Sequence, residues 1–437
     1  MDNVAQRFTT VAQCEAYLFT LRGGGKREEP LAMMHTLLAA LGHPEQRVPF
    51  IHVAGTNGKG STVNFMRELL QEAGVRVGAF TSPHLQRMNE RMTINGQMID
   101  DAALITYVNT IMAVVEEQKL TPNFFEVMTA ITWRYFADKQ VDIALIEVGI
   151  GGRIDSTNVA TPLVSVITSI GFDHIDLLGE RIEQIAAEKA GVIKPHVPVV
   201  TAVTQREAQR VIQTIAHEQH ASYYAFDEQF SFQADGMQSG QFITEAQRIP
   251  LVLTMLGAHQ QRNAAVAIQA VLLLNDITLT HTQIQRALKR AMWAGRFEEV
   301  VSGVFVDGAH NEQGTEALIA TLTAAFPQKR YHFIYAAMHD KDHAKSIARM
   351  DAIAATIAFT SMPLPRAATA QALADESTHT YKQVVANWQH YIEQYMKTRT
   401  EDDVFIVTGS LYFISEARPF IQKLGEQLHG NSRFSTL

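Results

Sequence analysis

The sequence predicts an α/β protein of two units, a larger doubly wound unit over residues 1–296 and a smaller α/β unit over residues 297–437. Short runs rich in valine and isoleucine alternate with apolar patterns of helical spacing, which is typical of parallel strands connected by helices. Polar residues follow many of these runs directly, as expected where ligands bind at the carboxyl ends of the strands of an open sheet.

The strands of the larger unit are predicted from short apolar runs, the pattern of strands that helices cover on both faces. These runs are 50–54, 75–80, 142–148, 163–169 and 197–202. An amphipathic helix is predicted to start at Ser61, and Gly191 is predicted to stop the helix that carries Lys189. A polar stretch around 225–250 indicates short strands and turns.

The smaller unit is predicted to begin where the alternation restarts, after Trp293-Ala294-Gly295-Arg296. A helix is predicted over 312–325, and strands are predicted at 304–306, 331–336, 354–360 and 404–408. We therefore expect the domain boundary at about residue 297.

The most informative segment follows the first predicted strand and has the sequence Gly-Thr-Asn-Gly-Lys-Gly-Ser-Thr over residues 55–62. Glycines let backbone N–H groups turn inward, and the start of a helix adds unpaired N–H groups and a partial positive charge. Lys59 supplies a full charge for outer phosphates, and Ser61 or Thr62 offers a hydroxyl to a phosphate or to magnesium. The loop departs from the usual P-loop because Gly60 follows the lysine. A tight turn without a ligand is the less favoured alternative, because the lysine lies between two glycines at a helix start.

Composition limits the classes of function. The net charge of −8 argues against a nucleic-acid-binding surface, which is normally basic. Cys14 is the only cysteine, which excludes an internal disulfide and a cysteine-based zinc cluster and indicates a reducing compartment. The first ten residues have no apolar signal core, and no apolar run reaches the roughly 18 residues that span a bilayer. We therefore expect a cytoplasmic protein that binds neither nucleic acid nor membrane.

Polar groups after other predicted strands are candidates for the same site. Ser82 follows the second strand, and Glu147 ends an apolar strand, where a carboxylate is costly unless it is paired or binds a metal such as magnesium. Asp173 and His174 follow a third strand, and the glycine-rich segment 149–153 predicts a mobile loop rather than a packed turn. The alternatives are a helix cap for Ser82, a surface carboxylate for Glu147 and a structural role for His174.

The smaller unit shows the same pattern. Asp307-Gly308-Ala309-His310-Asn311 and Thr408-Gly409-Ser410 follow predicted strands. Polar strand ends in both units predict an active site to which both contribute.

Together these segments resemble the folylpolyglutamate synthase/dihydrofolate synthase family, a branch of the Mur ligase superfamily. The resemblance covers about residues 50–415, and its motifs in chain order are HVAGTNGKGST, TSPHL, NERM, EVGIGGRIDSTN, ITSIGFDHIDLLG, EKAGVIK, HQQRNAAVA, AGRFE, VDGAHN and VTGSLY. It implies a P-loop-containing doubly wound domain of Mur ligase type, followed by a smaller Rossmann-like domain.

The resemblance implies an ATP-dependent amide ligase. A folate glutamate carboxylate would take the γ-phosphate of ATP, and the amine of L-glutamate would then displace phosphate. Mg²⁺ and Lys59 would offset the negative charges that gather there. The implied substrates are ATP, L-glutamate and a reduced folate or dihydropteroate, and we expect a monomer.

The resemblance also implies roles by position. The residues that resemble nucleotide contacts of the family are Gly58, Lys59, Gly60, Ser61, Asn263, Arg296, Asp307 and His310. Those that match its magnesium ligands are Ser82, Glu147, His174 and Lys189, and those that match groups at the reacting centre are Lys59, His174 and Lys189. Those that match segments near the pterin-containing substrate are Phe124, Phe125, Glu126, Asp155, Ser156 and Thr157. The family carbamylates the lysine that Lys189 matches, since a carbamate can bind a metal and an ammonium cannot. Phe124 and Phe125 fit stacking on a heterocycle and packing in the core equally well.

Some features depart from the family pattern and keep alternatives open. Residues 20–30 do not clearly match the pteroate-binding segment of bifunctional members, so dihydrofolate synthase activity stays open. Ala294 stands where many members have proline. One rival function is a Mur-type ligase that adds an amino acid to another carboxylate, which Gly60 and the TSPHL segment disfavour. Another is a nucleotide-dependent regulator with the same fold, which predicts loss of the metal-binding residues, whereas all of them are present.

Overall fold

The computed structural model describes residues 7–23, 28–339 and 341–432, and the chain divides into two units. The first comprises Met1–Asp235, Ser239–Thr254 and Gln260–Ala291, and the second comprises Gly236–Gln238, Met255–His259 and Met292–Leu437. Part of the 20–30 segment, residues 24–27, lies outside the described residues. The division in this region lies between Ala291 and Met292, a few residues before the predicted boundary.

The strands and helices alternate along the chain. The strands are β1 (Phe50–Ala54), β2 (Val77–Phe80), β3 (Met92–Ile94), β4 (Gln97–Met98), β5 (Ile143–Glu147), β6 (Val164–Ile167), β7 (Val199–Thr201), β8 (Tyr223–Ala225), β9 (Phe230–Ala234), β10 (Ser239–Thr244), β11 (Arg248–Val252), β12 (Glu298–Val301), β13 (Val304–Val306), β14 (Arg330–Tyr335), β15 (Ala354–Phe359), β16 (Lys382–Val384) and β17 (Asp403–Thr408). The α-helices are α1 (Val11–Leu18), α2 (Ala32–Ala40), α3 (Lys59–Glu72), α4 (Asp101–Glu117), α5 (Phe124–Asp138), α6 (Ile175–Leu178), α7 (Ile182–Ala190), α8 (Arg206–Glu218), α9 (Ala258–Leu272), α10 (His281–Arg290), α11 (Glu312–Ala325), α12 (Ala344–Asp351), α13 (Ala370–Glu376), α14 (Trp388–Thr398) and α15 (Leu411–Ser432). Short 3₁₀ turns cover Pro44–Gln46 and Met88–Arg91.

The first unit is built on a mixed sheet with the order β4-β3-β2-β5-β1-β6-β7-β8. From β2 to β8 neighbouring strands are parallel, whereas β3 and β4 are added at one edge by antiparallel pairing. The connection after β1 leads to β2 on one side, and the connection after β6 leads to β7 on the other side. The sheet therefore has a switch point between β1 and β6, where ligands bind in doubly wound folds. The predicted α/β class is confirmed.

Helices cover both faces of this sheet. On one face Phe50 and Ile146 pack with Trp133 of α5, and Ile167 packs with Ile185 of α7. The right-handed β1-α3-β2 connection places α3 on the other face, where it contacts β1, β2 and β5. The strands between them are buried along their whole length, which explains why their sequences are apolar throughout rather than alternating.

The glycine-rich loop over residues 55–62, called the phosphate loop from here on, leads into helix α3. This helix is held to α10 by ion pairs. Arg290 pairs with Glu68 at 2.7 Å and with Glu72 at 2.6 Å, and Arg286 pairs with Glu72 at 2.9 Å. The two carboxylates are shielded from solvent, and their arginine partners hold the pKa of Glu72 below its usual range despite its burial. This network keeps the phosphate-loop helix in place from its far end.

Helix boundaries differ from the prediction at one position and agree at another. Helix α3 begins at Lys59 rather than Ser61, because Gly58 adopts a left-handed conformation with φ 88° and so ends the loop. Helix α7 stops at Gly191 as predicted, but φ there is −61°. A Cβ atom at Gly191 would lie 2.4 Å from Arg153 Cα, so close approach of the backbone, and not a left-handed turn, requires glycine.

The second unit contains a sheet with the order β12-β13-β17-β14-β15-β16, which is parallel except for β12 at its edge. The strands β13, β14, β15 and β17 and the helix α11 lie where the sequence predicts them, whereas the edge strands β12 and β16 were not predicted. The polar stretch predicted near 225–250 forms a separate antiparallel sheet, β11-β10-β9, in the first unit. Cys14 is buried as a free thiol. Within the described ranges, no helix is both long and apolar enough to cross a membrane.

The left-handed glycine at 58 supports a prediction about the stability of the fold. A Cβ atom there would lie 2.5 Å from Asn263 Oδ1, whereas a Cβ atom at Gly74, with a similar φ of 82°, would meet nothing within 4 Å. We expect Gly74→Ala to lower the free energy of unfolding by about 1–2 kcal/mol, the backbone cost alone. Gly58→Ala should cost roughly 1–3 kcal/mol more, because the side chain of Asn263 must move. Urea unfolding of both variants measures the difference, and equal losses would contradict the contact.

Candidate functional site

The phosphate loop turns sharply at the carboxyl end of β1. Gly55 and Gly58 have φ values of 147° and 88°, and a Cβ atom at Gly55 would lie 1.9 Å from Thr168 Oγ1. No side chain caps the start of α3 at Gly58. The first turn of this helix, which includes Lys59, Gly60 and Ser61, therefore offers its backbone N–H groups to an anion.

The loop is supported from the end of the neighbouring strand β6. Thr168 Oγ1 donates to Asn57 O at 2.6 Å, and Ser169 Oγ accepts from Asn57 N–H at 2.9 Å. The backbone N–H of Thr56 donates to Ser169 O at 2.9 Å. The sequence alone predicted no contact of Thr168 or Ser169 with the loop. Their position at the end of the strand beside β1 was the signal that could have indicated it.

Two lysine side chains converge on one carbonyl of the loop. Lys59 Nζ donates to Gly55 O at 3.0 Å, and Lys189 Nζ donates to the same oxygen at 3.1 Å. Lys189 is 5% exposed. Burial, with the nearby charge of Lys59, lowers the pKa of Lys189 to about 7, against the opposing effect of Asp173 and Asp155. The Lys189 amine is therefore partly neutral near neutral pH, which makes it a nucleophile.

The ends of β2 and β5 bring Ser82 and Glu147 together. Glu147 is buried, and its Oε2 accepts the backbone N–H of Ser82 at 3.0 Å. His174 precedes α6 in a left-handed conformation with φ 51°, and its Nε2 lies 3.9 Å from Asp173 Oδ1. The structure thus joins Ser82 to Glu147, and His174 lies on the partly exposed segment that follows β6.

The donor set around Glu147 bears on which metal it suits. In the described part of the chain, no three histidine, cysteine, aspartate or glutamate side chains are grouped to hold a metal. A zinc site needs such a group, whereas Mg²⁺ in nucleotide sites is held by one or two carboxylates together with phosphate oxygens. A buried carboxylate beside a phosphate loop therefore fits Mg²⁺ bound jointly with a nucleotide.

The glycine-rich segment after Glu147 is a packed turn, so the prediction of a mobile loop is wrong in this respect. Asp155 Oδ2 accepts the N–H groups of Gly149 and Ile150 at 3.0 and 2.9 Å, and Oδ1 accepts Thr157 Oγ1–H at 2.6 Å. A Cβ atom at Gly152 would lie 2.8 Å from Lys189 O. The glycines thus serve close packing against α7.

Several residues predicted to lie near the substrate also have partners within the protein. Asp155 and Thr157 are buried in this turn, and burial raises the pKa of Asp155 against the effect of its hydrogen bonds. Ser156 between them is half-buried. Glu126 is buried in the capping box of α5 with Asn123. Their carboxylates and hydroxyls therefore shape the turn and the helix start.

The two phenylalanines have different surroundings. Phe125 packs near Phe80, with ring centroids 5.7 Å apart. Phe124 is half-buried and stacks on Phe19 at 4.9 Å, and the Arg91 guanidinium lies 5.1 Å from its ring. Phe125 therefore packs within the protein beside the turn. Phe124 lies in a cluster with Arg91 and Phe19, and Phe19 is exposed to solvent.

Asn263 lies against the phosphate loop, as the contact with Gly58 shows. It is buried in α9, and its Nδ2 donates to Gln260 Oε1 at 3.1 Å. This predicted nucleotide residue is therefore adjacent to the loop within the first unit.

The remaining predicted nucleotide residues form a cluster in the second unit. Asp307, at the end of β13, accepts the N–H groups of Phe297 and Ala309 at 2.7 and 2.8 Å. Burial raises the pKa of Asp307, and the charge of Arg296 opposes that rise. His310 Nδ1–H donates to Gly308 O at 2.9 Å, which orients its ring.

Comparison with known proteins identifies the class. Residues 53–271 match the Mur ligase middle domain, and residues 295–411 match the domain described as Mur ligase, glutamate ligase domain. The fold and the phosphate-loop site are therefore those of a Mur-type ligase.

The relatives define the family. A Bacillus subtilis protein named dihydrofolate synthase/folylpolyglutamate synthase is 42% identical over 403 residues, which cover 89% of this chain and 94% of that protein. The structure of Escherichia coli FolC in complex with DHPP and ADP is 27% identical with a TM-score of 0.88, covering 96% of this chain and 99% of that one. A Mycobacterium tuberculosis folylpolyglutamate synthase complexed with ADP and AMPPCP is 29% identical with a TM-score of 0.85, covering 94% and 97%. The chain belongs to the folylpolyglutamate synthase/dihydrofolate synthase family of the Mur ligase superfamily.

The depressed pKa of Lys189 predicts how stability depends on pH. With a pKa of about 7 in the folded chain and 10.5 unfolded, the unfolded chain binds more protons at this group between these values. Burial of the charged ammonium therefore lowers the free energy of unfolding by its full amount below pH 7. This loss of stability disappears as the pH rises toward 10.5. We expect Lys189→Met to be more stable than the parent by roughly 1–4 kcal/mol at pH 6, and by much less at pH 9.5.

Urea unfolding in CO₂-free buffer measures this difference, with the exposed Lys139→Met as the matched control. If the stability difference between Lys189→Met and the parent does not change between pH 6 and 9.5, the pKa of Lys189 is not lowered.

Proposed function

We propose that this chain is an ATP-dependent ligase that joins L-glutamate to the glutamate carboxylate of a reduced folate. The observation that carries the proposal is the convergence of Lys59 and Lys189 on Gly55 O in the phosphate loop, beside the Glu147–Ser82 pair. The names of the relatives support the substrate class, and structures of two of them hold ADP.

The nucleotide is the best-supported substrate. We propose that Gly58, Lys59, Gly60 and Ser61 bind its phosphates and that Asn263 orders the loop against which they lie. In the second unit, the Asp307 cluster with Arg296 and His310 is proposed to bind nucleotide. An arginine beside a buried carboxylate is well suited to this, because the carboxylate fixes the guanidinium and the remaining donors can reach a phosphate or a ribose.

The chemistry requires an inert acid to become reactive toward an amine. A carboxylate oxygen of the folate attacks the γ-phosphorus of ATP, and the bond to ADP breaks, leaving an acyl phosphate. The glutamate amine then attacks the acyl carbon, the C–O bond to phosphate breaks, and the amine loses a proton. Lys59 is proposed to stabilise the negative charge that moves between phosphates. Mg²⁺, proposed to bind at Glu147 and Ser82 with His174 as a further ligand, would supply Lewis-acid stabilisation of the phosphates.

Lys189 is proposed to carry a carbamate. Its neutral amine would attack CO₂, form an N–C bond and release a proton, which converts a cation into an anion. This change removes the repulsion between Lys189 and Lys59 and provides an oxygen ligand beside the phosphate loop. The depressed pKa supports this step because only the unprotonated amine reacts.

The folate is proposed to bind along the turn that contains Asp155, Ser156 and Thr157, beside Phe124. Ser156, Phe124 and Phe125 are half-buried and are the more accessible members of this set. Phe125 and Glu126 are proposed to act by shaping the wall, given their packing. We also propose dihydrofolate synthase activity, which the name of the Bacillus subtilis relative supports.

The proposed state is a cytoplasmic monomer. The single cysteine is a buried thiol with no disulfide partner in the sequence, as suits a reducing compartment. Light scattering after size exclusion should give a mass near 48.6 kDa.

The ligase activity has a direct test. Purified protein with ATP, Mg²⁺, a reduced folate and labelled L-glutamate should form a folate longer by one or more glutamates, with one ADP and one phosphate for each addition. Dihydropteroate as the acceptor tests the second activity. Lys59→Met should lower kcat by about a hundredfold or more, because the charge is needed when phosphate is transferred, whereas Lys139→Met should not change it.

Absence of product with every folate and pteroate acceptor would overturn the ligase proposal. ADP formation that neither folate nor glutamate changes would instead favour the nucleotide-dependent regulator.

The carbamate is tested separately with ¹³C-labelled CO₂. A carbamate resonance should appear in the parent protein and in Lys139→Met, and should be absent from Lys189→Met. At constant dissolved CO₂, the resonance should appear at a lower pH than the carbamate of an exposed lysine, because burial lowers the pKa of the Lys189 amine. A resonance that survives in Lys189→Met would assign the modification to another group.

A further inference from the structure

A buried histidine on β1 is connected by hydrogen bonds to the turn after Glu147. His52 has no exposed surface, and its Nε2 lies 2.8 Å from Thr157 Oγ1. Thr157 Oγ1–H donates to Asp155 Oδ1 at 2.6 Å. The chain of contacts therefore runs from the strand that precedes the phosphate loop to a carboxylate in the proposed folate-binding turn.

Elementary chemistry determines which atom donates in each of these hydrogen bonds. The Thr157 hydroxyl has one hydrogen, and it is used on Asp155, so this oxygen accepts from His52. His52 must therefore carry its hydrogen on Nε2. Burial and the nearby charge of Lys194 lower the pKa of His52 to about 3, which keeps the ring neutral and allows this single tautomer.

The other ring nitrogen of His52 shows that packing alone does not explain the residue. Nδ1 is buried and has no hydrogen-bond partner among the described residues. A buried polar atom without a partner is destabilising, and the strand positions beside it hold apolar residues such as Ile51 and Val53. Burial of the unpaired Nδ1 atom lowers the stability of the fold. We expect such a residue in the centre of a sheet where its other hydrogen bond, here from Nε2, serves function.

The carboxylate at the end of the chain organises the turn. Asp155 accepts three backbone N–H groups, from Gly149, Ile150 and Thr157, as well as the Thr157 hydroxyl. His52 is paired in register with Ile146, the residue before Glu147. The turn is therefore fixed at its start by β5 and near its end, through Thr157, by β1.

We propose that His52 is a positioning residue, which through the Thr157 hydroxyl holds Asp155 and its turn in the arrangement that the folate substrate requires. The inference rests on the proposed function in its reference to folate. The link from His52 to the turn does not depend on that function, and the two parts can be tested apart.

The test uses two pairs of variants that differ in one hydrogen bond. His52→Gln keeps an N–H donor near the position of Nε2, whereas His52→Leu removes it. Thr157→Ser keeps the hydroxyl, whereas Thr157→Val removes it at nearly constant volume. Thr201→Val is the matched control, because the Thr201 hydroxyl is also buried in this sheet but donates to Ile167 O, away from the turn.

The first readout is steady-state kinetics. His52→Leu and Thr157→Val should raise KM for folate by about tenfold to a hundredfold, the loss of a hydrogen bond in a charged network, with KM for ATP changed less than about twofold. His52→Gln and Thr201→Val should stay near the parent, and Thr157→Ser should raise KM for folate less than Thr157→Val does. The double variant His52→Leu/Thr157→Val should lose no more than the larger single loss, because both break one chain.

The second readout, hydrogen exchange of the segment 149–158, does not need activity. Exchange should be faster in His52→Leu and Thr157→Val and unchanged in the conservative variants and in Thr201→Val. If the parent protein does not ligate glutamate but exchange follows this pattern, the proposed function fails and the link stands. If the parent ligates and His52→Gln behaves as His52→Leu, or both KM values rise equally, or the two losses multiply, the positioning role is overturned.

Discussion

The carbonyl oxygen of Gly55 accepts hydrogen bonds from two lysines, and the rest of the site depends on this shared contact. Two ammonium groups at one oxygen repel each other, and burial adds to the cost for Lys189. The molecule meets this constraint by lowering the pKa of Lys189 while Lys59 remains at the helix start. One lysine thus suits the binding of phosphates and the other suits chemistry as an amine, although both contact the same atom.

That contact requires the turn at the end of β1, and the turn depends on the neighbouring strands. Thr168, after β6, binds the loop from one side, and Glu147, at the end of β5, lies on the other. Parallel pairing brings these carboxyl ends to one edge, so three segments far apart in sequence become adjacent. The same central strand carries His52, which extends the order of the loop to the turn that contains Asp155.

Most of the fold could be predicted from local patterns. The central strands of the two larger sheets were predicted within two residues at each end, because strands that are buried on both faces leave continuous apolar runs. The short strands β3, β4, β12 and β16, at or near the sheet edges, were not predicted. The phosphate loop was predicted because glycine, lysine and a helix start appear together over 55–62. The supporting role of Thr168, the partner of His52 and the packing at Gly191 could not be predicted, since each depends on atoms from segments more than thirty residues away.

The sequence by itself determined the α/β class, the order of its elements, the position of the phosphate loop and the family to which the chain belongs. These depend on residue type and spacing along the chain. Only the tertiary structure decided that Lys189 meets Lys59 at one carbonyl, that the glycines after Glu147 pack against α7, and that Asp155 is held through Thr157. The physical reason is that pKa values and close packing depend on desolvation and on distances between atoms, which arise when strands and helices from distant parts of the chain assemble.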